Sequence, residues 1–153
     1  MRTPASPYGP PNAFMSAKKS KAMIVGVGID MVNVPEMERM LEMHAFEQRT
    51  FSSSEREHAS SKAIPAESFA GIFAAKEAVT KAVCGISPNH WKDPRIIEVI
   101  HDLHGAPHIN MYGDFAHYLE YTEVHQIFLS ITHEGDCASA IAIAVTDSAE
   151  ERN

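Results

Sequence analysis

The chain has 153 residues, 44% hydrophobic and 22% charged, with eight glycines and nine prolines; this is one ordinary domain, and neither a fibrous repeat nor whole-chain disorder fits. A net charge of −7, from 20 acidic and 13 basic side chains, argues against nucleic acid and anionic lipid as partners. Two cysteines in apolar surroundings exclude a disulfide scaffold, and no run of about 18 apolar residues or signal-peptide core is present, so a soluble, cytoplasmic, non-exported protein is expected.

Residues 1–22 carry Pro4, Pro7, Pro10 and Pro11 and end in Lys18, Lys19 and Lys21, the composition of a flexible tail. The folded domain is expected over 23–148, with a polar tail at 149–153. From Met23 to Asp30 alternate residues are apolar, which predicts a strand with Asp30 on the same face as Gly26 and Gly28. Asn33, with Pro35 and Glu36 behind it, predicts a helix cap and a helix to about residue 48, with Met37, Met40, Leu41 and His44 as its stripe. Ser52 with Glu55 predicts a second, short helix to about Ser60.

The longest helical pattern runs from Pro65 to Val83, where Phe69, Ile72, Phe73, Val79 and Val83 recur at three- and four-residue spacing before Gly85 ends it. Arg95–His101 and His108–Tyr112 read as strands around a turn with Gly105 and Pro107, and Asp114 is expected to cap a helix through Tyr121. Ile127–Thr132 and Ala138–Val145 alternate around Glu134, Gly135 and Asp136 as an antiparallel hairpin.

Four features could carry chemistry. Asp30 ends a strand beside two glycines, which would leave room for a metal ion or phosphate; such a residue also serves as a plain turn former. Glu77 and Lys81, one helical turn apart, make either an exposed ion pair or part of a site, and Lys76 inside the apolar arc must either snorkel to the surface or point into a cleft. Ser130, Thr132 and His133 end a strand before a glycine turn and could converge on a phosphate, or simply close a hairpin. Ser130 lacks the elbow a hydrolase nucleophile needs. His101, His104 and His108 lie across a strand, a turn and a strand without a cysteine, which disfavours zinc.

Together these segments resemble the holo-acyl-carrier-protein synthase family, the short phosphopantetheinyl transferases. The matching residues are Val25–Val32 (Val-Gly-Val-Gly-Ile-Asp-Met-Val), Phe73–Ala82 (Phe-Ala-Ala-Lys-Glu-Ala-Val-Thr-Lys-Ala), Trp91–Pro107 ending in Gly105-Ala106-Pro107, and Ser130–Ala140. They occur in the family's order and span nearly all of 23–146. The resemblance implies an α+β fold, an antiparallel sheet on a long central helix. It also implies transfer of the 4'-phosphopantetheine arm of coenzyme A to a serine of an apo acyl carrier protein, in support of fatty acid biosynthesis, by a homotrimer with coenzyme at its subunit boundaries.

By the same resemblance Asp30 and Glu77 bind Mg2+, and Lys81 joins them as the third catalytic group. Lys76, Gly105, Pro107, Ser130, Thr132 and His133 fall where the coenzyme is held. The chemistry suits these residues, because cleaving a diphosphate loads negative charge on oxygens that a hard cation and a lysine can neutralise. One departure stands out: many family members carry an arginine six residues beyond the aspartate, facing the acidic carrier, where this chain has Glu36, and Arg39 is the nearest substitute. A less acidic carrier, such as one embedded in a large fatty acid synthase, is therefore expected. Competing assignments are a Mg2+-dependent phosphohydrolase and a non-catalytic module that binds coenzyme or carrier.

Overall fold

The computed structural model describes residues 22–84, 93–122 and 124–147. The first tail up to residue 21, Gly85, the Trp91 end of its segment and the 149–153 tail lie outside the described residues. The elements are β1 (Ala22–Asn33), α1 (Val34–Leu41), α2 (His44–Thr50), α3 (Ser53–Ser60), α4 (Pro65–Cys84), a 3-10 turn (Pro94–Ile96), β2 (Ile97–His101), β3 (Pro107–Met111), α5 (Gly113–Thr122), β4 (Val124–Glu134) and β5 (Cys137–Asp147).

β1, β5 and β4 form an antiparallel sheet in that order, and β2 and β3 pair as a separate antiparallel ribbon. This is the expected α+β architecture, with α4 packed on the three-stranded sheet. β1 runs past Asp30 to Asn33 because Met31, Val32 and Asn33 pair with Ser139, Ala138 and Cys137.

The expected single helix to about residue 48 is two helices. Met43 takes an extended conformation (φ −85°, ψ 94°), and the break lets Phe46 reach Phe51 and Phe73, with ring centroids 6.1 and 6.3 Å apart. Hydrophobic spacing continues across such a break and does not reveal it. His44, expected in the apolar stripe, is exposed and bonded to Gln48. The cap of α3 is as expected: Ser52 Oγ accepts from Glu55 N at 3.2 Å while Glu55 Oε2 accepts from Ser52 N at 2.8 Å. Asp114 lies inside the first turn of α5 rather than capping it, since the chain enters through Gly113 at φ 58°.

Small residues set the distance between α4 and the sheet. Ala138, Ala140, Ala142 and Ala144 of β5 are all buried, as are Ala74, Ala78 and Ala82 of α4. On β1, a Cβ at Gly28 would overlap Ala78 O and come within 2.6 Å of Ala82 N, and one at Gly26 would overlap Ala82 O. The helix therefore lies almost backbone to backbone on the strand. Larger side chains fill the rest of the core: Phe51, Phe115, Met37 and Ile72 are almost fully buried, each contributing about 1.5–3 kcal/mol by area.

Candidate active site

The register of β1 on α4 carries Asp30 into the site. Gly26 meets Ala82 and Gly28 meets Ala78, so two residues further along the same face Asp30 stands over the preceding part of the helix. The space beside the glycines is thus filled by the α4 backbone and not left for an ion or phosphate, as their small size had suggested. Their service to Asp30 is to bring its strand close.

Lys81 Nζ lies 2.6 Å from Asp30 Oδ1 and 3.1 Å from Ile29 O, so the lysine's ion-pair partner is Asp30 on the neighbouring strand. Glu77 precedes Lys81 by four residues on α4, flanks the same Ala78–Ala82 face, and is half-buried. Asp30 and Lys81 thus meet beside α4, the Asp30 side chain 18% exposed and Lys81 52% exposed, and Glu77 stands one helical turn before Lys81. Two carboxylates are the hard oxygen donors that a Mg2+ ion sharing its shell with substrate phosphates and water requires. Lys81 is exposed enough to swing between the aspartate and an incoming anion.

Lys76 takes neither position expected of it. Its ammonium is buried, 2.8 Å from Glu55 Oε2 and 3.0 Å from the carbonyls of Thr50 and Pro94, so all three donors are used inside the fold. Burial pulls its pKa below the usual lysine value, and Glu55 partly offsets this. With its donors so committed, Lys76 is not available to a coenzyme. Glu55 also accepts from Val99 N at 2.8 Å, and this buried hub carried no signal beyond its part in the α3 cap.

The segment 130–133 does not converge within one chain. Across the sheet Asp30, Ala140 and Ile131 are partners, as are Val32, Ala138 and His133, and these face α4. Ser130 and Thr132 pair with Ile141 and Ser139 on the opposite, open face, beside Ile29 and Met31.

His133 instead borders a cavity of about 380 Å³ that Gly105 and Pro107 also line, together with His58, Lys62 and His101. His133 Nδ1 is 3.5 Å from Glu67 of α4. The cavity reaches α4 at Gly71 and Ile72, five to ten residues before Glu77 and Lys81, or about 8–15 Å along the axis. Glu77 and Lys81 thus lie beyond the cavity along α4, while Asp30 shares its cross-strand row with Ile131 of the cavity wall. His101 belongs to the cavity wall, whereas His108 pairs with Asp102 at 3.2 Å, and among the described residues no three histidine, cysteine or acidic side chains are grouped to hold a metal.

A carboxylate and an ammonium in contact, a second carboxylate one helical turn away, and a cavity bordered by histidines and a lysine suit a transferase that handles phosphate groups. A family model described as the 4'-phosphopantetheinyl transferase superfamily matches residues 26–145, and the chain belongs to that superfamily. It is 40% identical to the holo-[acyl-carrier-protein] synthase of Alkaliphilus metalliredigens, over 80% of this chain and 99% of that protein. The acyl carrier protein synthase structure from Mycobacterium tuberculosis is 41% identical with TM-score 0.65, covering 80% and 97% of the two chains. A holo-acyl-carrier-protein synthase from Bacillus anthracis, solved in complex with coenzyme A (3',5'-ADP), is 32% identical with TM-score 0.65, over 82% and 99%.

Proposed function

We propose that this chain transfers the 4'-phosphopantetheine group of coenzyme A to a serine of an apo acyl carrier protein, giving the holo carrier and adenosine 3',5'-bisphosphate for fatty acid biosynthesis. The observation that supports the proposal is the pairing of Lys81 with Asp30 at 2.6 Å, one helical turn beyond Glu77 on α4.

In the reaction the serine oxygen bonds to the phosphorus bearing the pantetheine arm, the bond to the bridging oxygen breaks, and the bridging oxygen leaves with the electron pair on adenosine bisphosphate. The serine proton passes to a water that Glu77 orients. Asp30 and Glu77 would hold Mg2+, which when bound neutralises charge on the diphosphate oxygens. Lys81 moves from Asp30 to the transferred phosphoryl group as its charge develops. His133, Gly105 and Pro107 take the coenzyme in the cavity they line.

The offset of that cavity from Glu77 and Lys81 along α4, and the open-face position of Ser130 and Thr132, support a site completed by a second copy of the chain in a homotrimer. The open face is apolar at Val27, Ile29, Met31 and Phe128, all more than half exposed. α1, which begins just beyond Asp30, presents Glu36 and Glu38 with Arg39 to solvent. A carrier less acidic than usual, or a carrier domain of a fatty acid synthase, suits that surface. No helix among the described residues is long and apolar enough to cross a membrane, and a cytoplasmic location suits the two cysteines.

The test is incubation with coenzyme A, Mg2+ and apo carrier proteins, read as mass gain on the carrier serine. Glu77→Ala abolishes Mg2+-dependent transfer while coenzyme A binding persists in part; full activity in that variant overturns the metal assignment.

A further inference from the structure

A second concentration of titratable groups lies at the cavity wall, away from the carboxylate cluster. His58, in the last turn of α3, and His101, the last residue of β2, stack with ring centroids 4.0 Å apart and planes 3° from parallel. Both line the cavity, and so does Lys62, just beyond α3. Lys62 has no carboxylate partner among the described residues, and the acidic groups near the stack are already engaged. Asp102, between β2 and β3, pairs with His108 of β3 and accepts from the N–H groups of His104 and Ala106. Glu67 of α4 faces His133 of β4.

Two imidazoles stacked in this way cannot both be protonated without like charges about 4 Å apart, and Lys62 adds a third. Burial, then Lys62, hold His58 below the ordinary value of 6.5. Burial, then His58 and Lys62, do the same to His101, with Asp102 opposing and His108 adding to the effect. Their surroundings therefore keep both rings neutral near pH 7. Since the unfolded chain binds more protons than the folded one as pH falls through 6.5, the ligand-free protein loses stability there. A phosphate in the cavity reverses the balance, because an anion beside the stack favours the first imidazolium while the stack itself still opposes the second.

We infer that the stacked imidazoles of His58 and His101 take up one proton when a phosphate group of the substrate enters this cavity, so that these two residues make substrate affinity depend on pH. The inference rests on the proposal that the cavity takes coenzyme A. A stack that served only packing would leave that pH dependence untouched.

Calorimetric titration of the full chain with coenzyme A at pH 6.0 and 7.5, each in two buffers of different ionisation heat, tests it. The wild type is expected to take up close to one proton and to bind about tenfold tighter at pH 6.0, within the tenfold per pH unit that one proton allows. The double variant His58→Phe/His101→Gln, which leaves no imidazole in the stack, is expected to lose both effects and bind within about twofold at the two pH values, whereas either single variant keeps one ring that the phosphate can still protonate. Ionisation of the ligand's own phosphate is common to variant and wild type and cancels in the comparison. Should the double variant fold poorly, NMR titration of the wild-type imidazoles gives the same answer: their pKa values rise when coenzyme A is added. A double variant with wild-type pH dependence, or imidazoles that titrate identically with and without coenzyme A, overturn the inference and leave the proposed function standing. A wild type that binds no coenzyme A at either pH overturns both.

Discussion

At Gly28 the requirement is for closeness rather than for an unusual backbone angle. A methyl there would overlap Ala78 O, and since the obstacle is helix backbone it cannot rotate aside as a side chain could. Gly28→Ala must therefore push β1 off α4, which costs about 1–3 kcal/mol as an overpacked core position. The same shift carries Asp30 away from Lys81. The expected outcome is a lowered denaturation midpoint together with a transfer rate reduced at least tenfold. An alanine variant of wild-type stability and activity would mean that the strand can rest further from the helix without harm to the site. At Gly71, by contrast, the added Cβ would meet only the Cγ2 of Ile131 at 2.9 Å, a side-chain atom with some room to give.

At the scale of elements, α4 works through two faces with different partners. Ala74, Ala78 and Ala82 accept the sheet, and on the far side Lys76 ties the helix to Glu55 of α3 and to the carbonyls of Thr50 and Pro94. Because Lys76 adjoins Glu77, this buried tie fixes the rotation of the helix that presents Glu77. Lys76→Met leaves the Glu55 carboxylate buried without its cation and is expected to cost about 3–5 kcal/mol, read from chemical denaturation. Adding Glu55→Gln removes the stranded charge while retaining an acceptor for Val99 N or Ser52 N, so the double variant is expected to be more stable than the single one. Equal instability of the two would assign the loss to packing instead of charge. Much of the architecture was legible in the sequence because each element shows its periodicity locally: the opening strand that holds Asp30, the cap at Ser52, the long helix and the final hairpin. What was not legible depends on long-range contacts. The break at Met43 leaves the apolar spacing intact, the inward turn of Lys76 needs Glu55 twenty-one positions earlier, and the strand pattern that put Ser130 and Thr132 on one face could not say that α4 covers the other.

For the molecule as a whole, the informative surface is the sheet face that α4 does not cover. Val27, Ile143 and Phe128 form one cross-strand row and Ile29, Ile141 and Ser130 the next, with Met31, Ser139 and Thr132 beyond them. Rows of this kind on a solvent-facing sheet are the mark of a surface that another chain covers. In an assembly built through it, Ser130 and Thr132 leave solvent and become part of a subunit boundary, which joins the apolar face and the divided site in one explanation. Ile29→Asp places a charge at the middle of that face, on a side chain 63% exposed that contributes little to the fold of a single chain. The wild type is expected to run as a trimer by light scattering and Ile29→Asp as a monomer with an unchanged circular dichroism spectrum. Coenzyme A affinity is expected to fall at least tenfold in the variant, since the carboxylate cluster of one copy then no longer meets the cavity of another. A monomeric variant that binds coenzyme A as tightly as the wild type would show that one chain completes the pocket alone, and the open face would then need a different occupant.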